Sequence, residues 1–405
     1  MNMARITHID AEEIQDSRGN PTLRVTVHAE AARGTFSVPS GASTGSHEAK
    51  ELRDADGGMD RAIAGIKDML APALIGLNVD DQRTIDGRLL MQDGTTQKTR
   101  FGGNALLGIS AACARAAAAS QGLELYEYLR TLADITRSQA APYLYMNYIN
   151  GGKHAKSRVT FQEHMIVPLT ENISEALDMA RTFENALGGI LFSTYGKDVA
   201  ESMGDEGGFV LDESEPEKPF VLMDEALREA QLTGKVAFAI DAAATSFYRN
   251  GTYDVGGNSL SSDELFSLYE ELARKHALIS IEDPFHEEDF DTFARLRGKH
   301  MTRIVGDDLT VTNMSRLDMA IERESIDAVI IKPNQVGTLT ETLDTMKRAR
   351  EKNIDCIVSH RSGETDDDFI ADLAFAFGCF GLKAGSLRKP ERVLKYRRLQ
   401  AISNG

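Results

Sequence analysis

The sequence lacks any apolar segment long enough to cross a membrane. Its longest nearly apolar stretch, residues 105–114, is followed by Arg115, whereas a membrane-spanning helix needs about 20 predominantly apolar residues. The first eight residues also lack the apolar core of a signal peptide. We therefore expect a soluble protein without a membrane span, located in the cytoplasm.

The chain has few cysteines and fewer basic than acidic residues. The three cysteines, Cys113, Cys356 and Cys379, lie far apart in apolar runs, a pattern typical of buried thiols rather than of disulfides or a zinc site. The 45 basic residues are outnumbered by 62 acidic ones, which gives a net charge of −17. Such a surface repels duplex nucleic acid, so we expect no nucleic-acid partner.

Length and composition predict two folded domains. The chain has 405 residues, 42% of them hydrophobic, and no low-complexity tract, and this length exceeds that of a typical single domain. Two short alternating runs between residues 22 and 38 predict a β-hairpin. Helical periodicity at 60–74 and an Ala- and Leu-rich stretch at 103–129 predict buried helices. We place a smaller N-terminal α+β domain at 1–135 and a larger C-terminal domain at 136–405.

The C-terminal part alternates short apolar runs with amphipathic helical stretches, which predicts parallel strands joined by crossover helices. Six of these runs end at an ionisable residue, spaced 41, 25, 25, 28 and 23 residues apart. In chain order these residues are Asp241, Glu282, Asp307, Lys332, His360 and Lys383. Because the carboxyl ends of the strands in a (β/α) barrel meet at one mouth, the sequence predicts an α/β barrel with a ring of charged side chains.

The three acids of this ring offer only oxygen ligands, which favour Mg²⁺ or Mn²⁺ over zinc. Carboxylates that meet at a mouth repel one another unless a cation lies between them; the alternative is that each acid pairs with a helix or a basic neighbour. Lys332 is predicted to act as a general base, because burial near a divalent ion disfavours its ammonium form. The alternative for Lys332 is an ordinary surface lysine.

Other polar segments supply the remaining parts of a site. Residues 360–363, His-Arg-Ser-Gly, combine a guanidinium, a hydroxyl and backbone donors that suit a phosphate or carboxylate. Glu163, which we expect to precede a helix, and Glu206, in a glycine-flanked loop, form a candidate carboxyl pair with one member protonated as a general acid. The small-residue segment 40–45, with Ser43 at its centre, is typical of a mobile lid. A solvated turn and a flexible linker are the alternatives for these two loops.

The motifs of the chain resemble those of the enolase family, the 2-phosphoglycerate dehydratases of glycolysis. The resemblance runs from Asp16 to about Tyr396. Its motifs are SGASTG at 40–45, NGGKHA at 150–155, QEHMI at 162–166, GDEGGF at 204–209, SIEDPF at 280–285, VGDDLTVTN at 305–313, IKPNQVGTLTET at 331–342 and VSHRSGET at 358–365. The resemblance implies a modified (β/α)8 barrel of the TIM type behind the smaller N-terminal domain. It also implies reversible, Mg²⁺-dependent dehydration of 2-phosphoglycerate to phosphoenolpyruvate and water.

The resemblance implies two Mg²⁺ ions in each active site. Asp241, Glu282 and Asp307 would hold the first ion, which binds the substrate carboxylate. Ser43, from the lid, would help to complete the second site. The family pairs a lysine base with magnesium, a combination that is established for the enolase superfamily.

Catalytic and substrate-binding roles follow from the resemblance as well. It implies that Lys332 removes the proton from C2 and that Glu206, with Glu163 as its partner, protonates the departing C3 hydroxyl. The residues implied to contact the substrate or line the closed site are His154, Glu163, Arg361, Ser362, Lys383, Ser43 and His360.

Several positions differ from the family pattern without replacing a proposed ligand or catalytic group. Ser246 stands where Glu is usual, His164 stands where Phe is common, and the loop after Lys383 reads AGSLRKP in place of TGAPxRS. Arg24 and Ala401 replace a Glu–Arg pair that often joins subunits, so that ion pair should be absent. We still expect a homodimer or a larger homo-oligomer, because exposed ion pairs contribute only about 0–1 kcal/mol.

Two other functions remain open from the sequence. One is a superfamily relative that acts on a different carboxylate, and the other is a non-catalytic scaffold that retains the fold. The superfamily relative is disfavoured by a set of four residues that other superfamily members generally lack: Arg361, Ser362, Glu163 and Glu206. A scaffold has no reason to keep every charge at the mouth.

Overall fold

The computed structural model describes residues 4–30, 32–41, 45–137 and 141–404. Its N-terminal part contains an antiparallel sheet of strands β1 (Ile6–Gln15), β2 (Pro21–Ala29) and β3 (Ala32–Ser37). In β2 the side chains alternate, with Leu23 and Val25 fully buried and the residues between them partly exposed, as a sheet with one covered face requires. The predicted hairpin is confirmed as β2 and β3. The sequence reasoning missed β1, which buries only Ile6 and Ile9 and leaves its other residues partly or fully exposed.

Helices cover this sheet. Their bounds are α1 (Asp60–Gly65), α2 (Ala71–Leu74), α3 (Gln82–Asp93), α4 (Gly103–Gln121) and α5 (Leu125–Leu132), and a π-helical turn (Ile66–Leu70) joins α1 to α2. Helix α4 is buried on almost every side, which explains its small side chains. A Cβ atom at Gly34 would lie 2.2 Å from the Ala112 carbonyl oxygen, so only glycine lets β3 approach α4 this closely. The predicted helices at 60–74 and 103–129 are confirmed.

The larger part of the chain forms a closed barrel. Its strands are β4 (Tyr143–Asn150), β5 (Glu163–Pro168), β7 (Val236–Asp241), β11 (Leu278–Glu282), β12 (Arg303–Gly306), β13 (Ala328–Ile331), β14 (Asp355–Ser359) and β15 (Gly381–Lys383). They neighbour one another in this order, and β15 closes the ring against β4. Outside the ring, β6 (Phe209–Val210) pairs with β4, and β8 (Tyr248–Arg249), β9 (Thr252–Val255) and β10 (Asn258–Leu260) form a small antiparallel sheet. The expected α/β barrel behind an α+β domain is confirmed.

One strand differs from the expectation of an all-parallel barrel. Strand β5 runs antiparallel to both β4 and β7, and Glu163 begins this strand instead of preceding a helix. The reason lies in the connection between β4 and β5, which contains only a short 3₁₀ segment (Gly152–His154). A parallel crossover requires a longer connection, usually one with a helix. Glu163 nevertheless lies at the mouth, because the reversed strand starts there.

The other helices surround the barrel and follow its strands. They are α6 (Ile173–Tyr195), α7 (Lys197–Glu201), α8 (Lys218–Glu229), α9 (Ser262–Lys275), α10 (Phe290–Arg297), α11 (Met314–Glu322), α12 (Leu339–Glu351), α13 (Phe369–Ala376) and α14 (Pro390–Ser403). Side-chain caps fix several starting points; Ser261 and Glu264, for example, form a reciprocal capping box on α9. Two further 3₁₀ segments, Ala244–Phe247 and Pro333–Gln335, follow β7 and β13.

The barrel interior is a packed core rather than a channel. Its lower layers consist of Tyr145, Met165, Val167, Ala239, Val305, Ala328, Ile330 and Ile357. Above them the strand register places charged residues side by side: Glu163 pairs with Asp241, and Asp241 pairs with Glu282. The expected buried thiols are confirmed for all three cysteines. Among the described helices, none is both long and apolar enough to traverse a bilayer.

His164, one of the departures from the family pattern, is buried between β5 and the surrounding helices. Its ring lies edge-on to Phe220, with ring centroids 5.2 Å apart, and Phe161 lies on its other side. Neither ring nitrogen has a well-formed hydrogen bond to any part of the chain that the structure describes. Burial lowers the pKa of His164 to about 4, and the Ile149 carbonyl opposes this shift only weakly.

We predict that His164 makes the fold sensitive to acid. Because the folded-state pKa is about 4 and the unfolded value is about 6.5, stability is lost as the pH falls through this window, by about 2 kcal/mol at pH 5. His164→Phe should remove this part of the loss, as measured by urea unfolding at pH 7.5 and pH 5. The same substitution at the exposed His8 is the control. An equal acid-induced loss in His164→Phe and the unmodified protein would contradict the prediction.

Candidate active site

A polar cavity opens at the mouth of the barrel and brings together nearly all the predicted site residues. The charged and polar side chains that line it are His154, Gln162, Glu163, Glu206, Asp241, Asp283, Asp307, Asp308, Lys332, Ser359, His360, Arg361, Ser362 and Lys383. Glu282 lies directly beside it, in contact with Lys383. Ser43, the remaining predicted residue, lies outside the described residues. The ring inferred from the strand ends therefore exists as one cluster.

Three carboxylates in this cluster share a common centre. Asp241 and Glu282 end strands β7 and β11, and Asp307 follows β12, so three neighbouring strands present one acid each. One carboxylate oxygen from each lies within 4.8 Å of the others, and all three side chains are buried. A set of buried, converging oxygen donors fits a hard divalent cation such as Mg²⁺ or Mn²⁺.

Two lysines compensate the charge of these acids. The Nζ atom of Lys383 lies 2.8 Å from Glu282 Oε2, 3.2 Å from Asp241 Oδ2 and 3.2 Å from Glu163 Oε1. Burial lowers the pKa of the Lys383 ammonium, but the surrounding carboxylates outweigh burial and raise the pKa well above its usual range. The acids are therefore not left as uncompensated buried charges.

Lys332 contacts Asp307 through its Nζ atom. Burial is the largest single effect and favours the neutral amine, but the neighbouring carboxylates, first Asp307 and then Glu282, together outweigh it and raise the pKa of Lys332. The expected neutral amine of Lys332 refers to a lysine beside a divalent ion, and it stays a prediction for the metal-bound site. In the arrangement described, Lys332 is held as a cation by the neighbouring carboxylate.

Across the mouth, two glutamates and two histidines form a second cluster. His154 Nδ1 lies 3.5 Å from Glu206 Oε1 and 3.7 Å from Glu163 Oε1, and His360 Nε2 lies 3.3 Å from Glu206 Oε1. Asn147 donates from Nδ2 to Glu206 Oε2 at 3.0 Å. Burial and the neighbouring Glu206 carboxylate raise the pKa of Glu163 well above its usual range. Burial acts on Glu206 in the same direction, but the facing His360, His154 and Arg392 outweigh it and hold the pKa of Glu206 well below its usual range. The pair therefore retains a proton at a pH where an isolated carboxyl is ionised, and this proton is favoured on Glu163.

A third group of side chains forms the anion-binding side of the cavity. Arg361 follows β14 and is buried, with Nη1 3.0 Å from Glu48 Oε2 and 2.9 Å from Asn334 Oδ1. Ser362 is adjacent in the chain, and Ser40 and Gly363 exchange two backbone hydrogen bonds. The N-terminal domain thus reaches the mouth through the segment that flanks residues 42–44.

Sequence reasoning missed several polar residues that orient the acids. Gln335 donates from Nε2 to Asp307 Oδ1 at 2.9 Å, and the carboxylate of Asp283 accepts from the backbone N–H groups of Asp307 and Asp308. Gln162 lies 3.4 Å from Asp241 through its amide nitrogen. Each of these residues is adjacent or close in sequence to a predicted site residue. They were missed because a glutamine, or a second acid next to a predicted one, has no sequence pattern that indicates a role in the site.

Comparison with protein-family models matches both parts of the chain. Residues 6–129 match the model described as "Enolase, N-terminal domain", and residues 138–405 match "Enolase, C-terminal TIM barrel domain". Three curated relatives carry the name Enolase. That of Methanopyrus kandleri is 43% identical (99% of this chain, 96% of the relative), that of Corynebacterium kroppenstedtii 41% (99% and 95%), and that of Methanocaldococcus jannaschii 42% (98% and 94%).

The charge balance at the mouth predicts a strong effect of removing Lys383. Lys383→Met leaves three buried carboxylates without their shared cation, so we expect a loss of about 3–5 kcal/mol in chelator-containing buffer. The pKa values of Glu163 and Glu282 are already raised by burial. Their ionisation therefore disfavours the folded state increasingly as pH rises, and the loss should be larger at pH 8 than at pH 5.

The matched control is Lys98→Met, which removes a buried lysine with one carboxylate partner, Glu341, at 2.7 Å. Thermal unfolding of both variants at the two pH values measures the difference. If the Lys383→Met variant lost equal stability at both pH values, the ammonium would not be the group that balances these acids.

Proposed function

The chain belongs to the enolase family, and we propose how its own residues carry out the family reaction, the reversible dehydration of 2-phosphoglycerate to phosphoenolpyruvate and water. It is a hydro-lyase, a phosphopyruvate hydratase. The observation that carries the residue assignments is the position of Lys332 and the Glu163–Glu206 pair at one mouth. Strands β13 and β5 are four places apart in the ring of eight, so the lysine and the carboxyl pair face each other across the cavity.

Asp241, Glu282 and Asp307 are proposed to hold Mg²⁺, and their shared centre and oxygen-only chemistry support this. When bound, the cation supplies Lewis-acid polarisation of the substrate carboxylate and neutralises the three acids. A second Mg²⁺ per site, held in part by Ser43, is proposed from the family pattern alone. Lys383, which lies against Asp241 and Glu282, is proposed to face the substrate carboxylate.

Lys332 is proposed as the general base that takes the proton from C2. Lys332 lines the cavity directly after β13, which neighbours β12 and so lies next to Asp307. Its amine is available once Asp307 no longer holds it as an ammonium. Glu206 is proposed to give its proton to the C3 hydroxyl, which leaves as water. Before substrate binds, the proton of the pair is favoured on Glu163, so Glu163 is proposed to pass it to Glu206. His154 and His360 line the same side.

Arg361 and Ser362 are proposed to bind the substrate phosphate. A guanidinium offers two parallel donors to phosphate oxygens, and Glu48 and Asn334 already fix the orientation of this one. Because Arg361 follows β14 and Lys332 follows β13, the phosphate at C2 would hold the C2 proton near the base.

We also propose a cytoplasmic homodimer or larger homo-oligomer, with the domain boundary near residue 135. This assembly does not need the ion pair between subunits that other family members often form at the position of Arg24. Arg24 Nη2 lies 3.0 Å from Asp366 within the same chain, so its charge is already compensated inside one protomer.

The assignment of base and acid predicts a split between two partial reactions. Lys332→Ala should abolish exchange of the C2 proton with solvent deuterium, followed by nuclear magnetic resonance, because no other group is assigned to remove it. Glu206→Gln should keep that exchange but block formation of phosphoenolpyruvate, followed by ultraviolet absorbance. Equal loss of exchange in both variants would show that this division is wrong. No turnover of the unmodified protein with excess Mg²⁺ would refute the proposed reaction itself.

The proposed metal site predicts stabilisation by Mg²⁺ without substrate. A cation that binds only the folded chain adds about 2.7 kcal/mol at a concentration 100 times its dissociation constant, so millimolar Mg²⁺ should raise the melting temperature. Asp241→Asn should abolish most of this rise. Asp263→Asn, which removes an exposed carboxylate paired with Arg295, should leave it unchanged. A rise of the same size in all three proteins would place the bound cation elsewhere.

A further inference from the structure

A completely buried arginine lies behind the proposed proton donor. Arg392, on α14, has no solvent exposure, and its nearest carboxylate, that of the adjacent Glu391, is 3.8 Å from its Nε atom. Burying a guanidinium is costly unless its donors are used. The two Nη atoms donate to two loops of the active site rather than to a close ion pair, whereas Nε has no hydrogen-bond partner among the described residues.

The contacts of Arg392 join these two loops. Its Nη1 atom donates to the Arg361 carbonyl at 2.7 Å, and its Nη2 atom donates to the carbonyls of Ser362 at 2.7 Å and Asp205 at 3.2 Å. The first two carbonyls belong to the loop after β14, and the third immediately precedes Glu206. One side chain therefore fixes the phosphate-binding loop and the proton-donor loop relative to each other.

The segment before α14 strengthens the same connection. The Ser386 N–H donates to the Glu206 carbonyl at 3.0 Å, and Lys389 donates from Nζ to the Asp205 carbonyl at 3.0 Å. A Cβ atom at Gly385 would lie 2.8 Å from the Glu206 carbonyl oxygen and 3.2 Å from Arg392 Cδ. The chain-specific loop AGSLRKP thus packs closely enough to hold Glu206 and Arg392 in place.

The fourth contact of Arg392 determines the protonation of His360. Nη1 also contacts Nδ1 of His360. A guanidinium has donors and no acceptor, so Nδ1 must be the unprotonated nitrogen of the ring. The single proton of the neutral imidazole is then on Nε2, which lies 3.3 Å from Glu206 Oε1 but makes no well-formed hydrogen bond to any described residue before substrate binds.

The charges around His360 favour this neutral form. The groups that face it are Glu206, Arg392, Lys383 and Lys332. Burial lowers the pKa of His360, the Glu206 carboxylate opposes burial, and the three cations act with it, so the pKa lies well below its usual range. The ring therefore keeps one proton, on Nε2, and does not compete with Glu206 as an acid.

We propose that Arg392 is a positioning residue for the proton-donating half of the reaction, because it holds His360 as the Nε2–H tautomer facing Glu206. This inference rests on the function proposed above. When Glu206 transfers its proton to the departing hydroxyl, its new carboxylate charge faces an N–H group that stays protonated. A ring with its proton on Nδ1 would instead present a lone pair to that carboxylate and would oppose the transfer.

The first test is the tautomer of His360 in the unmodified protein, which requires no substrate. Nitrogen-15 resonance of histidine-labelled protein, assigned by comparison with His360→Gln, distinguishes a protonated Nε2 from a protonated Nδ1. We expect Nε2–H with no titration between pH 6 and pH 9. Observation of Nδ1–H, or of an imidazolium in this range, would overturn the proposal whatever the activity of the enzyme.

The second test compares three variants. Arg392→Met removes the donor, Arg392→Lys keeps one donor and the charge, and Lys395→Met removes another buried cation of α14, which contacts Glu364 at 2.7 Å. Arg392→Met should allow His360 to titrate or to change tautomer. It should also slow dehydration by about ten-fold or more relative to C2 proton exchange. Arg392→Lys should restore part of both properties.

Lys395→Met separates positioning from general destabilisation. It should lower thermal stability and affect exchange and dehydration to a similar extent, with the His360 tautomer unchanged. If Arg392→Met slowed both partial reactions equally and left the His360 resonances as they are, Arg392 would be only a structural residue. If the unmodified protein formed no phosphoenolpyruvate, the proposed function would fail, while the tautomer measurement would still test the contact.

Discussion

The mouth of the barrel depends on mutual compensation of buried charges. Glu163, Asp241 and Glu282 all lie within 3.2 Å of the single ammonium of Lys383, and Lys332 contacts Asp307 in the same way. The cost of removing these groups from water is lowered because every acid contacts an ammonium, and because the raised pKa values of Glu163 and Glu282 reduce the negative charge that three acids place on one lysine. Under the proposed function, a bound cation would replace the lysines as the partner of Asp241, Glu282 and Asp307 and leave Lys332 and Lys383 free to contact the substrate.

The register of the barrel strands determines which charged residues lie next to one another at the mouth. Paired positions on β5, β7 and β11 place Glu163, Asp241 and Glu282 next to one another. The closed ring sets Lys332, which follows β13, opposite Glu163 on β5. The antiparallel direction of β5 is part of this arrangement, because it brings the start of the strand to the mouth. The N-terminal domain contributes Glu48, which orients Arg361. Fold and site are therefore specified by the same contacts.

Much of this was predictable from the sequence, for a definable reason. A short apolar run followed by a charged residue, as at Asp241 and Lys332, indicates where a buried strand ends, because a charged side chain is seldom placed inside such a strand. The direction of β5 was not predictable, because it depends on the lack of a crossover helix between β4 and β5, and a polar loop without a helix has no distinctive sequence pattern. Arg392 was also missed, because an arginine in a charged helical segment reads as exposed, and only the tertiary packing of α14 against two loops buries it.

The most direct test of the account is the position of the cation. Anomalous scattering from crystals soaked in Mn²⁺, a hard oxygen-seeking ion, locates it without reference to activity. The account predicts a peak bonded to oxygens of Asp241, Glu282 and Asp307, with the Nζ atoms of Lys332 and Lys383 displaced from these acids. A peak at Asp283 and Asp308, or between His154, Glu163 and Glu206, with the three acids still paired to the lysines, would contradict it.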